Sequence, residues 1–145
     1  ILDKIFINTL KKIALYANNK KIYFCLEANP KIYKSEYLNY TNEALKIVKK
    51  INNKYLKLNL DLGTIIQNKE KIDDLINQNI RYIKHVQISV PYLLNVLEHK
   101  QKIKELIKLL KLNKYKNNIS IEMTRPKKKT YQTIQKIITH IKTIF

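Results

Sequence analysis

The sequence predicts an α/β fold in which parallel strands are covered by helices, arranged as four βα units of a (β/α)8 barrel. Three observations lead to this prediction. Helical and strand-like patterns alternate along the chain, polar residues recur where the strand patterns end, and glycine is almost absent. Strands that alternate with helices at this spacing form parallel units, because a parallel pair needs a long crossover connection. The predicted order of elements is αβαβαβαβα.

The first half of the chain supplies two helices and two strands. Residues 1–18 place apolar side chains near helical spacing beside a lysine-rich face. Lys21–Ala28 (KIYFCLEA) is short and rich in β-branched and aromatic residues, which predicts a strand. Helical spacing resumes over residues 41–53, where Thr41 is the expected N-cap. Tyr55–Asp61 (YLKLNLD) alternates apolar and polar residues, so it predicts the second strand.

The second half repeats the same rhythm. Residues 69–77 (KEKIDDLIN) predict a short helix, and Tyr82–Ser89 (YIKHVQIS) predicts the third strand. Val96–Leu112 has the pattern of a long amphipathic helix. Asn118–Met123 (NISIEM) predicts the last strand, and Thr130–Ile144 predicts the last helix.

The positions of the polar residues favour part of a barrel over an open doubly wound sheet. Glu27 ends the first predicted strand, Asp61 the second and Glu122 the fourth. The third strand carries His85, Gln87 and Ser89. In a barrel the C-terminal strand ends converge on one mouth, where the catalytic groups of that fold lie. A dinucleotide-binding sheet would need a glycine-rich phosphate turn, which a chain with one glycine lacks.

Three carboxylates at the ends of strands in one sheet predict a metal site. Bringing them together is costly unless a cation neutralises their charge. The single glycine of the chain, Gly63, follows Asp61 by two residues, and we expect it to let the backbone turn sharply and point Asp61 across the mouth. Each group also has a structural alternative. A carboxylate at a strand end can be solvated or can cap a helix, and His85 can be a hydrogen-bonded core residue.

The strong positive charge has two interpretations. Lys plus Arg number 29 and Asp plus Glu number 11, which gives a formal net charge of +18. Such a balance is typical of proteins that bind nucleic acids or anionic membranes. However, only Arg81 and Arg125 are arginines, and Ile, Asn, Lys and Tyr are all abundant, as expected of an AT-rich coding sequence. The lysines are also spread along the whole chain, so we favour codon bias over a nucleic-acid partner.

The remaining bulk features set limits on the class of protein. One cysteine, Cys25, excludes an internal disulfide and is expected to be a small buried side chain. Apolar runs stop well short of the roughly 20 residues that span a bilayer, which argues against a membrane protein. The chain begins with Ile1 and has no visible signal peptide. We therefore expect residues 1–145 to be a single, partial domain of a longer cytoplasmic protein.

Four segments together resemble a known family. They are CLEANPKIYKSEYLNYTNEALKIVKKIN, LKLNLDLGTII, YIKHVQISVPYL and ISIEM, taken in order. This set is similar to the C-terminal half of the xylose-isomerase-like TIM barrels, in particular the sugar-phosphate isomerases and epimerases. The resemblance runs over roughly residues 20–125 and is in register with all four strand ends. It implies a carbohydrate-metabolism enzyme whose substrate is a sugar or a sugar phosphate.

The resemblance also implies roles for individual residues. It implies four ligands for one divalent metal ion: Glu27, Asp61, Gln87 and Glu122. Glu27 and Glu122 would also act as an acid/base pair on opposite faces of a metal-bound hydroxy-carbonyl substrate, which is the chemistry of epimerisation. The implied substrate-binding side chains are His85, Ser89 and Arg125.

The sequence departs from the family pattern at three positions. Gln87 stands where the family has a metal-binding histidine, Val90 replaces an acidic residue, and Thr64 stands where many relatives have histidine. An amide oxygen suits hard ions, so the resemblance favours Mn or Mg over Zn or Co, with affinity weakened by Gln87. Only four βα units are present, so the site is expected to need the missing barrel half or a second copy of the chain.

Two alternatives remain open. The chain can be a catalytically degenerate barrel remnant, or one half of a split barrel that depends on a partner chain. A less favoured alternative is DNA repair, because apurinic-site endonucleases share this fold. Those enzymes bind several zinc ions through additional histidines, where this chain has Thr64 and Gln87. This difference argues against a nucleic-acid substrate.

Overall fold

Four short strands form one parallel sheet, and helices connect them. The computed structural model describes residues 2–144. The helices are α1 (Leu2–Lys20), α2 (Thr41–Ile51), α3 (Leu62–Gln67), α4 (Ile72–Ile76), α5 (Lys100–Leu112) and α6 (Thr130–Ile144). The strands are β1 (Phe24–Leu26), β2 (Leu56–Asp61), β3 (Ile83–Ile88) and β4 (Asn118–Ile121). Short 3-10 turns cover Lys31–Tyr33, Ile80–Tyr82, Pro91–Leu93 and Val96–His99.

The order of strands in the sheet is the order of the chain. The sheet runs β1-β2-β3-β4, and every neighbouring pair is parallel. A doubly wound sheet would contain a point where the strand order reverses, and these four strands have none. The sequential order is that of consecutive βα units in a barrel, so the predicted fold class is confirmed. The carboxyl ends of all four strands lie at the same end of the sheet.

One face of the sheet is apolar and is covered by the helices. Because side chains alternate along a strand, Leu56, Leu58 and Leu60 share one face of β2, and all three are fully buried. The register places Leu58 beside Leu26 and Leu60 beside Val86 on the same face. The opposite face of β2 carries Lys57, Asn59 and Asp61. This alternation directs the polar groups away from the helices, to the side that faces the interior of a barrel.

The helices cover the sheet through regular apolar stripes. In α5 the buried residues are Ile103, Leu106, Ile107 and Leu110, at the i, i+3, i+4, i+7 spacing of one helix face. Full burial of each such side chain contributes about 1.5–3 kcal/mol. The same logic holds for α2, whose buried residues include Ala44, Leu45 and Val48. None of the helices within residues 2–144 has a stretch long and apolar enough to cross a membrane.

Several element boundaries differ from the prediction. The first strand is confined to Phe24–Leu26, because β1 lies at a sheet edge and pairs with β2 over only these three residues. Thr41 is the first residue of α2, and Tyr40 is its N-cap. The N-cap prediction was therefore wrong by one position. The carboxylate of Glu43 accepts the backbone N–H of Tyr40 at 3.1 Å and caps the helix start instead.

The chain after β2 contains a helix that the sequence patterns did not predict. Helix α3 begins directly at Leu62, whereas the predicted helix over residues 69–77 is reduced to Ile72–Ile76. The first part of the predicted helix from Val96 is a 3-10 turn, and the α-helix proper begins at Lys100. The unpredicted α3 matters most, because its first turn contacts the polar end of the sheet.

Candidate active site

Three carboxylates converge at the carboxyl end of the sheet. Glu27 follows β1, Asp61 is the last residue of β2, and Glu122 follows β4. One carboxylate oxygen of each residue lies within 4.8 Å of the other two. Asp61 is only 7% exposed, whereas Glu27 and Glu122 reach solvent. The sequence prediction that these three strand-end residues lie close together agrees with the structure.

Asp61 combines a helix cap with its position in this cluster. Its Oδ1 accepts the backbone N–H of Thr64 at 2.6 Å, which caps α3. Its Oδ2 accepts the hydroxyl of Ser89 at 2.5 Å. Each carboxylate oxygen can accept more than one bond, so both retain a lone pair for a ligand. The structural role does not exclude a functional one.

Gly63 allows α3 to pack closely against Ser89 and does not form a turn, so the prediction of a sharp turn was wrong. The chain enters α3 directly after Asp61, and Gly63 lies in its first turn without a positive φ. Its N–H donates to the hydroxyl oxygen of Ser89 at 2.8 Å. A Cβ at this position would lie 2.5 Å from that oxygen and 3.2 Å from Oδ1 of Asp61. Only glycine lets α3 approach Ser89 this closely.

Asn59 links Glu27 to Gln87, and the sequence analysis missed it. Its Nδ2 donates to Oε2 of Glu27 at 2.5 Å and also to Oε1 of Gln87. The Oδ1 of Asn59 is buried and has no hydrogen-bond partner within residues 2–144. Asn59 precedes Asp61 by two residues, so both lie on the same face of β2. The available signal was this spacing, with a polar residue between Leu58 and Leu60 directly before Asp61.

The environment of Glu27 favours its protonated form. The pKa of this carboxyl group is raised to about 7, and desolvation by burial is the largest cause. The hydrogen bond from Asn59 lowers the pKa, while the charges of Asp61 and Glu122 raise it further. A carboxyl group with a pKa near neutrality can both take up and release a proton at physiological pH.

A cavity of about 250 Å³ opens above the carboxylates. Its lining includes the three acidic residues together with Tyr33, Leu93 and Ser89. A larger cavity of about 360 Å³ lies between α1 and α2. Two of its three acidic groups already have protein partners, since Asp3 accepts the hydroxyl of Tyr37 and Glu43 caps α2. The smaller cavity is therefore the better candidate site.

The other residues implied by the resemblance lie at different distances from this cavity. Ser89 is 1% exposed, and its hydroxyl is engaged by Asp61 and Gly63. Gln87 pairs in register with Asp61, but its carbonyl oxygen accepts from Asn59. His85 lies half-buried further down the same strand, and Arg125 is exposed beyond β4. Neither His85 nor Arg125 lines the cavity.

The donor set fits a hard divalent cation. Such ions bind oxygen at about 2.0–2.6 Å, so ligands on opposite sides of one ion lie about 4–5 Å apart. The spacing of the three carboxylates, within 4.8 Å, is compatible with that geometry. Without a cation the three charges repel one another, in keeping with the raised pKa of Glu27. The residues that would hold an ion are Glu27, Asp61 and Glu122, with Gln87 adjacent.

Comparison with solved structures shows the same fold in several epimerases. The 3-keto-D-glucoside 4-epimerase from E. coli aligns with a TM-score of 0.86 at 14% identity, over 97% of this chain and 53% of that one. A D-allulose 3-epimerase from Methylomonas sp., in complex with D-allulose, gives 0.81 at 17% identity, over 96% and 54%. A D-psicose 3-epimerase from Clostridium cellulolyticum H10, with D-tagatose, gives 0.64 at 18% identity, over 89% and 45%.

The chain spans about half the length of these solved structures. At such identities the likeness shows the fold alone. None of the curated protein sequences matches this chain. The family model of the xylose isomerase-like TIM barrel matches residues 3–143, nearly the whole chain. This protein therefore belongs to the xylose isomerase-like TIM barrel family.

Proposed function

We propose that this chain forms the catalytic half of a metal-dependent sugar or sugar-phosphate epimerase or isomerase. The observation that carries the proposal is the convergence of Glu27, Asp61 and Glu122 within 4.8 Å at the carboxyl end of the sheet. The fold shared with several sugar epimerases supports the same substrate class.

The two glutamates are the proposed acid/base pair. A divalent ion, Mn or Mg in preference to Zn or Co, supplies charge stabilisation for the oxyanion that develops beside a carbonyl when the neighbouring carbon loses a proton. Glu27 takes that proton from one face of the carbon. Glu122 returns a proton to the other face, which inverts the configuration. Asp61 helps to hold the ion.

A complete site requires a second barrel half, so residues 1–145 act as one partial domain. Strands β1 and β4 each pair with only one neighbour in the described sheet. Four βα units cannot close a barrel, and closure is what removes exposed sheet edges. The proposed partner is a further set of four βα units, in the same chain or in a separate one. The specificity of the enzyme then depends on loops from both halves.

A metal titration of the natural full-length protein tests this function. We expect Mn or Mg to raise the melting temperature, because an ion that binds only the native state stabilises it. Glu122→Gln should abolish this shift. The matched control is Glu98→Gln, which removes an exposed carboxylate far from the cluster in sequence. A protein that is folded but shows no shift with Mn, Mg, Co or Zn would refute the proposed function.

A catalytically degenerate barrel is the second candidate. The observation that favours it is the hydrogen bond from Asn59 to the carbonyl oxygen of Gln87, since this oxygen is then partly engaged away from the metal. The metal titration separates the two candidates. Loss of metal binding in a folded protein favours the degenerate barrel, and metal binding followed by epimerisation of a ketose excludes it.

A further inference from the structure

Three loops are joined across the mouth of the site. The backbone N–H of Tyr92, after β3, donates to the hydroxyl oxygen of Tyr33, after β1, at 2.7 Å. The carbonyl oxygen of Leu93 accepts both the N–H and the hydroxyl of Thr124, after β4, at 2.8 and 2.9 Å. These bonds link the loops that follow β1, β3 and β4, on either side of Asp61 at the end of β2.

The link between Tyr33 and Tyr92 depends on an unusual backbone conformation. Tyr92 has φ 60° and Leu93 has φ 52°, so two consecutive bulky residues adopt the left-handed region. Non-glycine residues rarely do so, and such conformations cluster at functional sites. Here the turn holds the N–H of Tyr92 on the hydroxyl of Tyr33. The two rings then lie 6.5 Å apart in an edge-to-face arrangement, which fixes the ring of Tyr33 further.

Tyr33 thereby becomes a fixed wall of the cavity. It lines the same cavity as the three carboxylates, and 39% of its surface is still exposed. Leu93 lines the cavity as well. The lining of the cavity is therefore partly acidic and partly aromatic and aliphatic. A sugar has matching faces, because its hydroxyl and carbonyl oxygens can point toward a cation while its C–H groups pack on a ring.

We propose that Tyr33 contacts the substrate directly, with its ring packed against the C–H face of a sugar whose oxygens point toward the carboxylate cluster. Tyr92 is a positioning residue that acts through Tyr33. This inference rests on the proposed function and adds a determinant of sugar binding to it. No charged side chain is needed for this contact, so it recognises the carbon skeleton of the sugar independently of any phosphate.

Sugar binding to the Mn-loaded full-length protein tests the inference. The probes are D-allulose and D-fructose, titrated by calorimetry. We expect Tyr33→Ala to weaken binding about tenfold, the scale of one lost aromatic contact. Tyr33→Leu keeps apolar bulk without a ring, so it tests the same contact if Tyr33→Ala does not fold. It should weaken binding to a similar extent. Tyr33→Phe keeps the ring but removes the acceptor for Tyr92, so its loss should be smaller.

Tyr23→Ala is the matched control, because Tyr23 is also 39% exposed but precedes β1, at the opposite end of that strand. It should bind both sugars as the parent does. Metal-induced stabilisation should persist in every Tyr33 variant, which separates this inference from the proposed function. Parent-level sugar binding by Tyr33→Ala and Tyr33→Leu would overturn the role of Tyr33 and leave the proposed function intact. A parent protein that binds Mn but neither sugar would overturn the inference, because the proposed contact does not depend on a phosphate group. It would not overturn the proposed function, which includes sugar phosphates.

Discussion

Asp61 belongs to the carboxylate cluster, and Ser89 links its carboxylate to the first turn of α3. The hydroxyl of Ser89 donates to Asp61 and accepts from the N–H of Gly63. The Ser89 hydroxyl is thus satisfied as both donor and acceptor, although it is buried. Its role in the fold is to orient Asp61, and the glycine is required because Ser89 occupies the space of a Cβ.

This arrangement predicts an unusual effect of Gly63→Ala. Alanine at a helical position normally stabilises a protein by about 1 kcal/mol relative to glycine. Here the added methyl group meets the Ser89 hydroxyl at 2.5 Å, so we expect a loss of about 1–3 kcal/mol in the free energy of unfolding. Urea denaturation measures it. In the Ser89→Ala background the same change should cost much less. Stabilisation by Gly63→Ala alone would contradict the close packing of Gly63 against Ser89.

The raised pKa of Glu27 predicts how the stability of the metal-free protein depends on pH. Its folded pKa is raised to about 7 from its ordinary value of 4.5. Between these values the native state binds more protons than the unfolded state, so stability falls as pH rises. We expect the melting temperature of the metal-free protein to decline from about pH 4.5 to about pH 7, more steeply than in Glu27→Gln. Equal slopes for the two proteins across that window would contradict the raised pKa.

At the scale of elements, periodicity predicted the long helices because each one buries a regular stripe. The buried residues of α5 have the same spacing as the apolar residues in its sequence. Helix α3 was missed because its six residues, LGTIIQ, are too short to show a helical period, and because Gly63 was interpreted as a sharp turn after the strand. The available signal was the pair formed by Asp61 and Thr64, which has the spacing of an N-cap and the N–H that it accepts.

Regular sequence patterns also explain which site residues could be predicted and which could not. The carboxylates occupy strand ends, and the alternation of side chains fixes the face on which they lie. The contacts of Asn59 depend instead on the register between strands, which shifts between Leu58 and Asn59 where β2 meets β3. The apolar pattern that sets the overall register does not reveal a local shift of this kind. The links from Asn59 to Glu27 and Gln87 therefore become visible only in the folded chain.

At the scale of the whole molecule, the charge is distributed widely over the surface. The chain has 29 basic and 11 acidic residues. Within residues 2–144 the one salt bridge joins Lys102 to Glu105 on α5. Three of the eleven acids lie in the candidate site. The carboxylate cluster is thus a local negative region on a basic protein, and exposed lysines contribute little to stability through pairing.

Apolar side chains are exposed on the helices next to the two edge strands. Helix α6, which follows β4, exposes Tyr131, Ile134 and Ile138 at i, i+3 and i+7. Helix α1, which precedes β1, exposes Ile5, Leu15 and Tyr16. Stripes of this kind normally pack against another element. Their location beside β1 and β4 fits the proposal that a second set of βα units closes the barrel.

Substitution on α6 tests this closure in the natural full-length protein. If Ile134 and Ile138 pack against a second barrel half, Ile134→Glu and Ile138→Glu should each lower the free energy of unfolding by about 1.5–3 kcal/mol, the value of burying such a side chain. Urea denaturation measures the loss. The control is Gln135→Glu, which places the same charge at an exposed position of the same helix and should leave stability unchanged. If all three variants unfold alike, the α6 stripe faces solvent in the natural protein, and the closing half packs elsewhere or is absent.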